Sequence, residues 1–186
     1  MDDVIKMIAQ LRSNTVEAFD RLIEQYGDRL YWHIRRVVIR HEETEDILQE
    51  TFMRAFLSIS HFRGDTERSL TAWLYKIATT LAIKSLNNRK KGLFSSIDSV
   101  RGELLTTFEE EMDPSADEII VRLQKAVLAL PTKQRLVFNM RYYDELSFEQ
   151  ISQVTGQSIT TLKTNYHYAA KKIKEQVSTI DWIDYE

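Results

Sequence analysis

Cysteine is absent from the 186 residues, which excludes disulfides, thiolate metal sites and cysteine nucleophiles. Glycine and proline are scarce, at 5 and 2, so turn punctuation is thin and long helices are favoured over a many-stranded β fold. No apolar run approaches the roughly 18–20 residues of a membrane span, and the opening Met1-Asp2-Asp3 is acidic, unlike a leader peptide. A soluble, cytoplasmic chain is expected. Histidines are few and scattered (His33, His41, His61, His167), and no glycine-rich phosphate loop is present. His41-Glu42 opens like a zinc-protease helix, but Glu45 stands where the second histidine belongs. No catalytic residue, metal ligand or cofactor is therefore expected, and an all-α enzyme is the weakest reading.

What is present is helix-forming and unevenly charged. Hydrophobic residues make up 43%, enough for packed cores. The net charge of -3 hides a pattern. Six cations and no acid lie between Arg68 and Lys91, eight acids against Arg101 alone lie between Gly92 and Glu118, and four lysines face one acid between Ser158 and Gln176. Two basic stretches parted by an acidic one fit two nucleic-acid contacts; solvated helix faces fit equally well.

Helical periodicity runs through most of the chain. Phe19, Leu22, Ile23, Tyr26, Leu30, Ile34 and Val37 form one stripe, entered through Asn14 with Glu17 in capping-box spacing. A second helix is expected over about 44–59, a loop over 61–69, and a long helix over about 70–91 with Leu70, Trp73, Leu74, Ile77, Ala78 and Leu81 inward. The period fades over 92–114, read as an acidic linker. A second unit is expected over 115–178, opened by Ser115 with Glu118 and striped by Ile119, Ile120, Leu123, Val127 and Leu130. An acidic tail, 179–186, closes the chain. The fold class is all-α: two small helical domains, 1–91 and 115–178, on either side of the linker.

Residues 147–163 have helix-turn-helix anatomy. Ser147 and Gln150 suit a capping box, Gly156 the positive φ of a tight turn, and Ser158 the cap of a second helix. With Ile159, Leu162, Tyr166, Ala169, Ala170 and Ile173 inward, the helical period turns Thr160, Thr161, Thr164, Asn165 and Tyr168 outward, with Lys163 beside them and Lys171 and Lys172 a turn on. Short polar side chains suit base edges in the major groove and lysines suit phosphates. An αα-hairpin with a polar face is the plainer alternative.

The first unit offers two more faces. Opposite Ile47, Leu48, Phe52, Ala55, Phe56 and Ile59 lie Asp46, Gln49, Glu50, Met53, Arg54 and Leu57, a mixed acidic and apolar surface suited to another protein. The basic helix turns Lys76, Thr79, Thr80, Ile83, Asn87 and Lys90 away from its core stripe, carries Lys84 and ends in Asn87-Asn88-Arg89-Lys90-Lys91. Phe62, Trp73 and Tyr75 stand near these cations, a combination suited to unpaired bases. Trp73 also lies on the buried stripe, so a core role competes.

Glu45-Asp46-Ile47-Leu48-Gln49-Glu50-Thr51-Phe52 and Thr71-Ala72-Trp73-Leu74-Tyr75-Lys76-Ile77-Ala78 resemble region 2 of extracytoplasmic-function sigma factors. Leu130-Pro131-Thr132-Lys133-Gln134-Arg135-Leu136-Val137-Phe138, Arg141-Tyr142-Tyr143 and the helix-turn-helix resemble region 4. The resemblance implies core RNA polymerase and promoter DNA, duplex and melted, as partners. The face of Asp46, Gln49 and Glu50, with Met53, Arg54 and Leu57, would dock on the β′ clamp. Region 4 would sit on the β flap and read the upstream element. The loop with His61, Phe62 and Arg63, then Arg68, Trp73, Tyr75, Lys76, Thr79, Thr80, Lys84, Asn87, Arg89, Lys90 and Lys91, would bind and open the downstream element. The linker would thread the active-site channel, and an anti-sigma factor is a further implied partner. Thr80, Lys84, Asn165 and Tyr168 depart from residues frequent in the family, which bears on promoter choice. A helix-turn-helix regulator that ignores polymerase is the competing function, and it leaves the first unit's two faces unexplained.

Overall fold

The computed structural model describes residues 2–13, 16–92, 97–112 and 117–177, with the side chains of 1–5, 89–101 and 103 outside the description. Among the described residues every regular element is helical: α1 (Asp2–Arg12), α2 (Val16–Val38), α3 (His41–Ser58), a 3-10 turn (Ile59–His61), α4 (Glu67–Gly92), α5 (Ile97–Glu111), α6 (Glu118–Leu128), α7 (Thr132–Tyr142), α8 (Phe148–Thr155) and α9 (Ile159–Val177). Asn14, Ser115 and the acidic tail lie outside the described residues.

α2 buries the expected stripe: Phe19, Leu22, Tyr26, Leu30, Ile34 and Val37 are inside, at the three- and four-residue spacing that keeps side chains on one helix face. Glu17 in its first turn and Arg35 and Arg36 in its last complement the helix dipole. It ends on Ile39, which is buried at φ 71°, a left-handed conformation costly for a β-branched residue. α3 and α4 complete the first bundle with α2.

Several sequence expectations need correction. Ile23 and Phe56 are exposed, at 45% and 40%; Phe56 meets Phe19 edge-on, with ring centroids 4.8 Å apart, and leaves its other side bare. α4 starts at Glu67, ahead of Leu70, because the Thr66 and Ser69 side chains bond each other and the local backbone to form its first turn. The acidic stretch is helical over α5, which buries Leu104 and Thr107. α6 is capped by Asp117, whose carboxylate accepts from the Ile119 amide at 2.7 Å. Ile119 and Ile120, expected inside, are each 57% exposed, while Ala126, Val127 and Leu130 pack with Phe138, Ala169 and Ile173.

α8 and α9 form the expected helix-turn-helix. The capping box is complete, Ser147 Oγ accepting from Gln150 N and Gln150 Oε1 from Ser147 N. Gly156 sits at φ 72°, and the Ser152 hydroxyl donates to the Gln157 carbonyl across the turn at 2.7 Å. A Cβ on Gly156 would meet nothing within 4 Å. Gly156→Ala should therefore cost only the left-handed conformation, about 1–2 kcal/mol. Urea denaturation of that variant should show this loss; a cost below about 0.3 kcal/mol would mean the turn relaxes.

The two bundles share one apolar core. Leu136, Val137, Met140, Leu146, Ile151, Val154 and Leu162 of the second unit belong to the same buried cluster as Leu22, Leu30, Leu70 and Ala78. α8 packs on α4 and α7 on α2. α5 bridges the units: Arg35 donates to Glu111 at 2.6 Å and Lys125 to Glu109 at 2.6 Å.

Candidate docking and nucleic-acid surfaces

The outer face of α3 is as anticipated. Asp46, Gln49 and Arg54 are exposed, Met53 is 51% and Leu57 71% exposed, and Glu50 accepts from Arg54 Nε at 2.6 Å. That pair leaves Asp46 as the face's carboxylate without an ion pair among the described residues. Beside it runs an open groove of about 570 Å³ between α3 and α4, lined by Arg54, Leu57, Ser58, Trp73, Lys76, Ile77 and Thr80. The structure thus brings part of the protein-docking set and part of the downstream set to one place, which the linear sequence does not show.

The downstream set divides. His61, Arg63, Arg68, Lys76, Thr80, Lys84 and Asn87 are exposed, while the side chains of Arg89, Lys90 and Lys91 lie outside the described residues. Trp73 is half-buried and borders the groove, with Phe62 packed on it at 4.9 Å between ring centroids. Three members do not stand free to meet a base. Phe62 is buried under that ring contact, Tyr75 is fully buried and Thr79 is buried. Tyr75 packs against His33 at 4.7 Å between ring centroids, and burial, reinforced by Asp144, pushes its phenol well above the ordinary range. The Thr79 hydroxyl is 2.9 Å from His33 Nε2. For Tyr75 and Thr79 the physical reason is that α4 is covered on two sides, by α2 and α3 and by α8, so part of the face opposite its first stripe is interior.

The loop before α4 is tightly built. Arg12 donates to the Gly64 carbonyl at 2.7 Å, and a Cβ on Gly64 would run into the Ser69 side chain and the Phe62 ring. In the sequence Gly64, with Asp65 and Ser69, marks only a loop, and a lone glycine carries no signal of what it touches.

On α9, Thr160, Thr161, Lys163, Thr164, Tyr168, Lys171 and Lys172 are exposed and Asn165 is half-buried. The Ser158 hydroxyl accepts from Thr161 N and bonds the Thr161 hydroxyl at 2.8 Å, fixing the helix start. Asn165 Nδ2 approaches Gln157 Oε1 at 3.5 Å, at the outer limit of a hydrogen bond. Gln157, missed in the sequence, therefore stands beside the recognition face. The lysines differ: Lys163 lies over the Phe148 ring at 5.9 Å, Lys172 donates to Gln134 at 3.1 Å, and Lys171 meets Glu175 only at 4.0 Å. In α7, burial alone pulls the Arg135 guanidinium down to about 10, so it keeps its charge at neutral pH. His41, at the start of α3, meets Tyr31 Oη at 2.7 Å and Glu45 at 3.3 Å. Among the described residues no helix is long and apolar enough to cross a membrane.

The comparisons with known proteins follow this division. Residues 22–92 match the family model for sigma-70 region 2, and residues 120–173 match that for sigma-70 region 4. The ECF RNA polymerase sigma factor SigW of Bacillus subtilis (strain 168) is 30% identical over 180 residues, spanning 92% of this chain and 95% of its own. The RNA polymerase sigma-H factor of Pseudomonas aeruginosa is 25% identical over 185 residues, with 94% of each chain covered. Among solved structures, CnrH in complex with the cytosolic domain of CnrY superposes with a TM-score of 0.68 at 20% identity, covering 95% of this chain and 98% of that one, and so shares the fold. The acidic-apolar face, the basic helix beside it and the helix-turn-helix thus sit in the order of regions 2 and 4, and the chain belongs to the extracytoplasmic-function family of RNA polymerase sigma factors.

Proposed function

We propose a division of labour for this sigma factor, which directs RNA polymerase to promoters. The outer face of α3, centred on Asp46 with Met53 and Leu57, docks on the polymerase clamp. Lys76, Thr80, Lys84 and Asn87 of α4, with the loop of His61 and Arg63, hold the melted strand of the downstream element. Thr161, Thr164, Asn165 and Tyr168 of α9 read the upstream element. The α3–α4 groove carries this reading, because an apolar floor with Trp73 and a cationic rim of Arg54 and Lys76 suits a base lifted from the stack. The chain acts in the cytoplasm, by binding rather than catalysis. An anti-sigma factor covering α3 would silence it; RpoE of Bartonella quintana, which shares the fold, was captured with the anti-sigma factor NepR. Run-off transcription by core polymerase on genomic fragments, with and without the chain, tests the whole: no added transcripts would remove it.

The recognition helix offers a finer test. A recognition helix enters the major groove by its N-terminal residues, and an asparagine amide pairs bidentately with adenine for about 1–3 kcal/mol of discrimination. Asn165→Ala should flatten preference at one upstream base pair, while Lys171→Ala should weaken all upstream sequences about equally. Selection of upstream elements from a randomised library by each mutant holoenzyme measures both. An unchanged preference for Asn165→Ala would move the base contact elsewhere, with Gln157 the first candidate.

A further inference from the structure

Tyr75 on α4 carries a polar group that the chain does not use. Its side chain is fully buried, and its hydroxyl has no hydrogen-bond partner among the described residues. Burial keeps the phenol protonated at neutral pH, so the group is a donor without an acceptor. A donor sealed away in this manner destabilises the fold unless something accepts from it. Tyr75 lines an open cavity of about 430 Å³ between α2, α4 and the turn after α7. The charges that act on its hydroxyl, those of Asp144, Arg29 and Arg36, all belong to the same lining, so the hydroxyl end faces the cavity.

The charges there leave room for one negative group. Asp144, at the joint between the two units, accepts from His33 Nδ1 at 2.7 Å and from Arg36 Nη1 at 2.9 Å, which neutralises Arg36. Arg29 lies over the Tyr26 ring at 5.9 Å and pairs with no carboxylate among the described residues. It is the cation left over, and it stands with Tyr75. Asp28 and Glu145 also line the cavity but are exposed, so water screens them; they weigh against a dianion more than against a single charge. Trp32, Arg36 and Tyr143 line this cavity and also a second one of about 350 Å³, which reaches Ile39, Phe108 and Met112. Trp32 is 54% exposed, and Arg36 lies over the Tyr143 ring at 4.5 Å. Flat aromatic and guanidinium surfaces thus connect a polar cavity to a more apolar one, at volumes that suit a small molecule. We propose that the chain binds a small amphipathic carboxylate here, its head between the Tyr75 hydroxyl and Arg29 and its flat apolar body laid past Trp32 and Tyr143 toward Phe108 and Met112. The site is separate from the outer face of α3, the α3–α4 groove and the recognition helix.

β-Naphthoate serves as the probe, titrated calorimetrically into the full chain, with β-naphthylmethylamine and β-naphthylmethanol as its cationic and neutral counterparts. One-to-one binding with a Kd of about 1 mM or tighter is expected for the carboxylate, and at least tenfold weaker binding for the other two. Tyr75→Phe and Arg29→Gln should each weaken the carboxylate about tenfold, the loss of one hydrogen bond to a charged group. Because the hydroxyl bonds nothing within the chain, the melting temperature of Tyr75→Phe should not fall. No measurable binding of the carboxylate, equal binding of the amine or the alcohol, or unchanged affinity in either variant would overturn the proposal. So would a fall of more than about 4 °C in the Tyr75→Phe midpoint, which would mean that an ordered water already satisfies the hydroxyl.

Discussion

Asp46→Lys combined with Glu50→Lys is expected to weaken binding to core RNA polymerase by about a hundredfold or more, with helicity and melting temperature nearly unchanged. Asp46 is exposed and Glu50 is half-buried and paired with Arg54. Reversal therefore costs little inside the chain: the cation introduced by Glu50→Lys would face Arg54 one turn on, a like-charged pair worth about 0.2–0.5 kcal/mol. Toward a basic partner the change is large, because like charges brought together in an interface cost several kcal/mol, and about 1.4 kcal/mol is tenfold in affinity. Competition with unsubstituted chain for core polymerase reads it directly. Normal competition by the doubly reversed chain would show that α3 is not the docking helix.

Asp144→Ala should have the largest effect on stability. Truncation leaves fully buried His33 without its acceptor and Arg36, about a fifth exposed, without its carboxylate. Breaking a buried pair from one side typically costs about 3–5 kcal/mol, and the low end, about 3 kcal/mol, fits here because Arg36 keeps some water and the Tyr143 ring. Asp144→Asn keeps the shape and one acceptor oxygen but turns an NH2 toward a donor, so about half that loss is expected. Urea denaturation of both variants gives the ranking. A loss under about 1 kcal/mol for Asp144→Ala would mean that water replaces the carboxylate.

What could be read from the sequence was local. The helix-turn-helix is specified by residues three to nine apart: Ser147 with Gln150, Gly156 in the turn, Ser158 ahead of Ile159. The α3 face was legible for the same reason, as a single helix with two distinct sides. The joint was not, since His33 and Asp144 stand 111 residues apart and neither sits in a motif. Tyr75 and Thr79 were misplaced by the same blindness. A helical wheel has one inside and one outside, whereas α4 is enclosed by helices of both regions. Ile119 and Ile120 show the converse, apolar residues on a regular period that are each 57% exposed. α5 was hidden because its few inward residues, Leu104 and Thr107, are outnumbered by acids.

The core common to both bundles bears on how the chain could be divided. A fragment of residues 117–177 would keep its own small cluster around Phe138 and Ile173, yet it would carry Ile151, Val154, Leu146 and Met140 without the α2 and α4 residues that share their cluster. Such a continuous bare apolar patch invites self-association, and residues 1–92 would hold its mirror at Leu70, Leu74 and Ala78. Either half expressed alone therefore faces aggregation at the broken seam. Mixing the two halves should restore solubility, because each supplies the surface the other lacks.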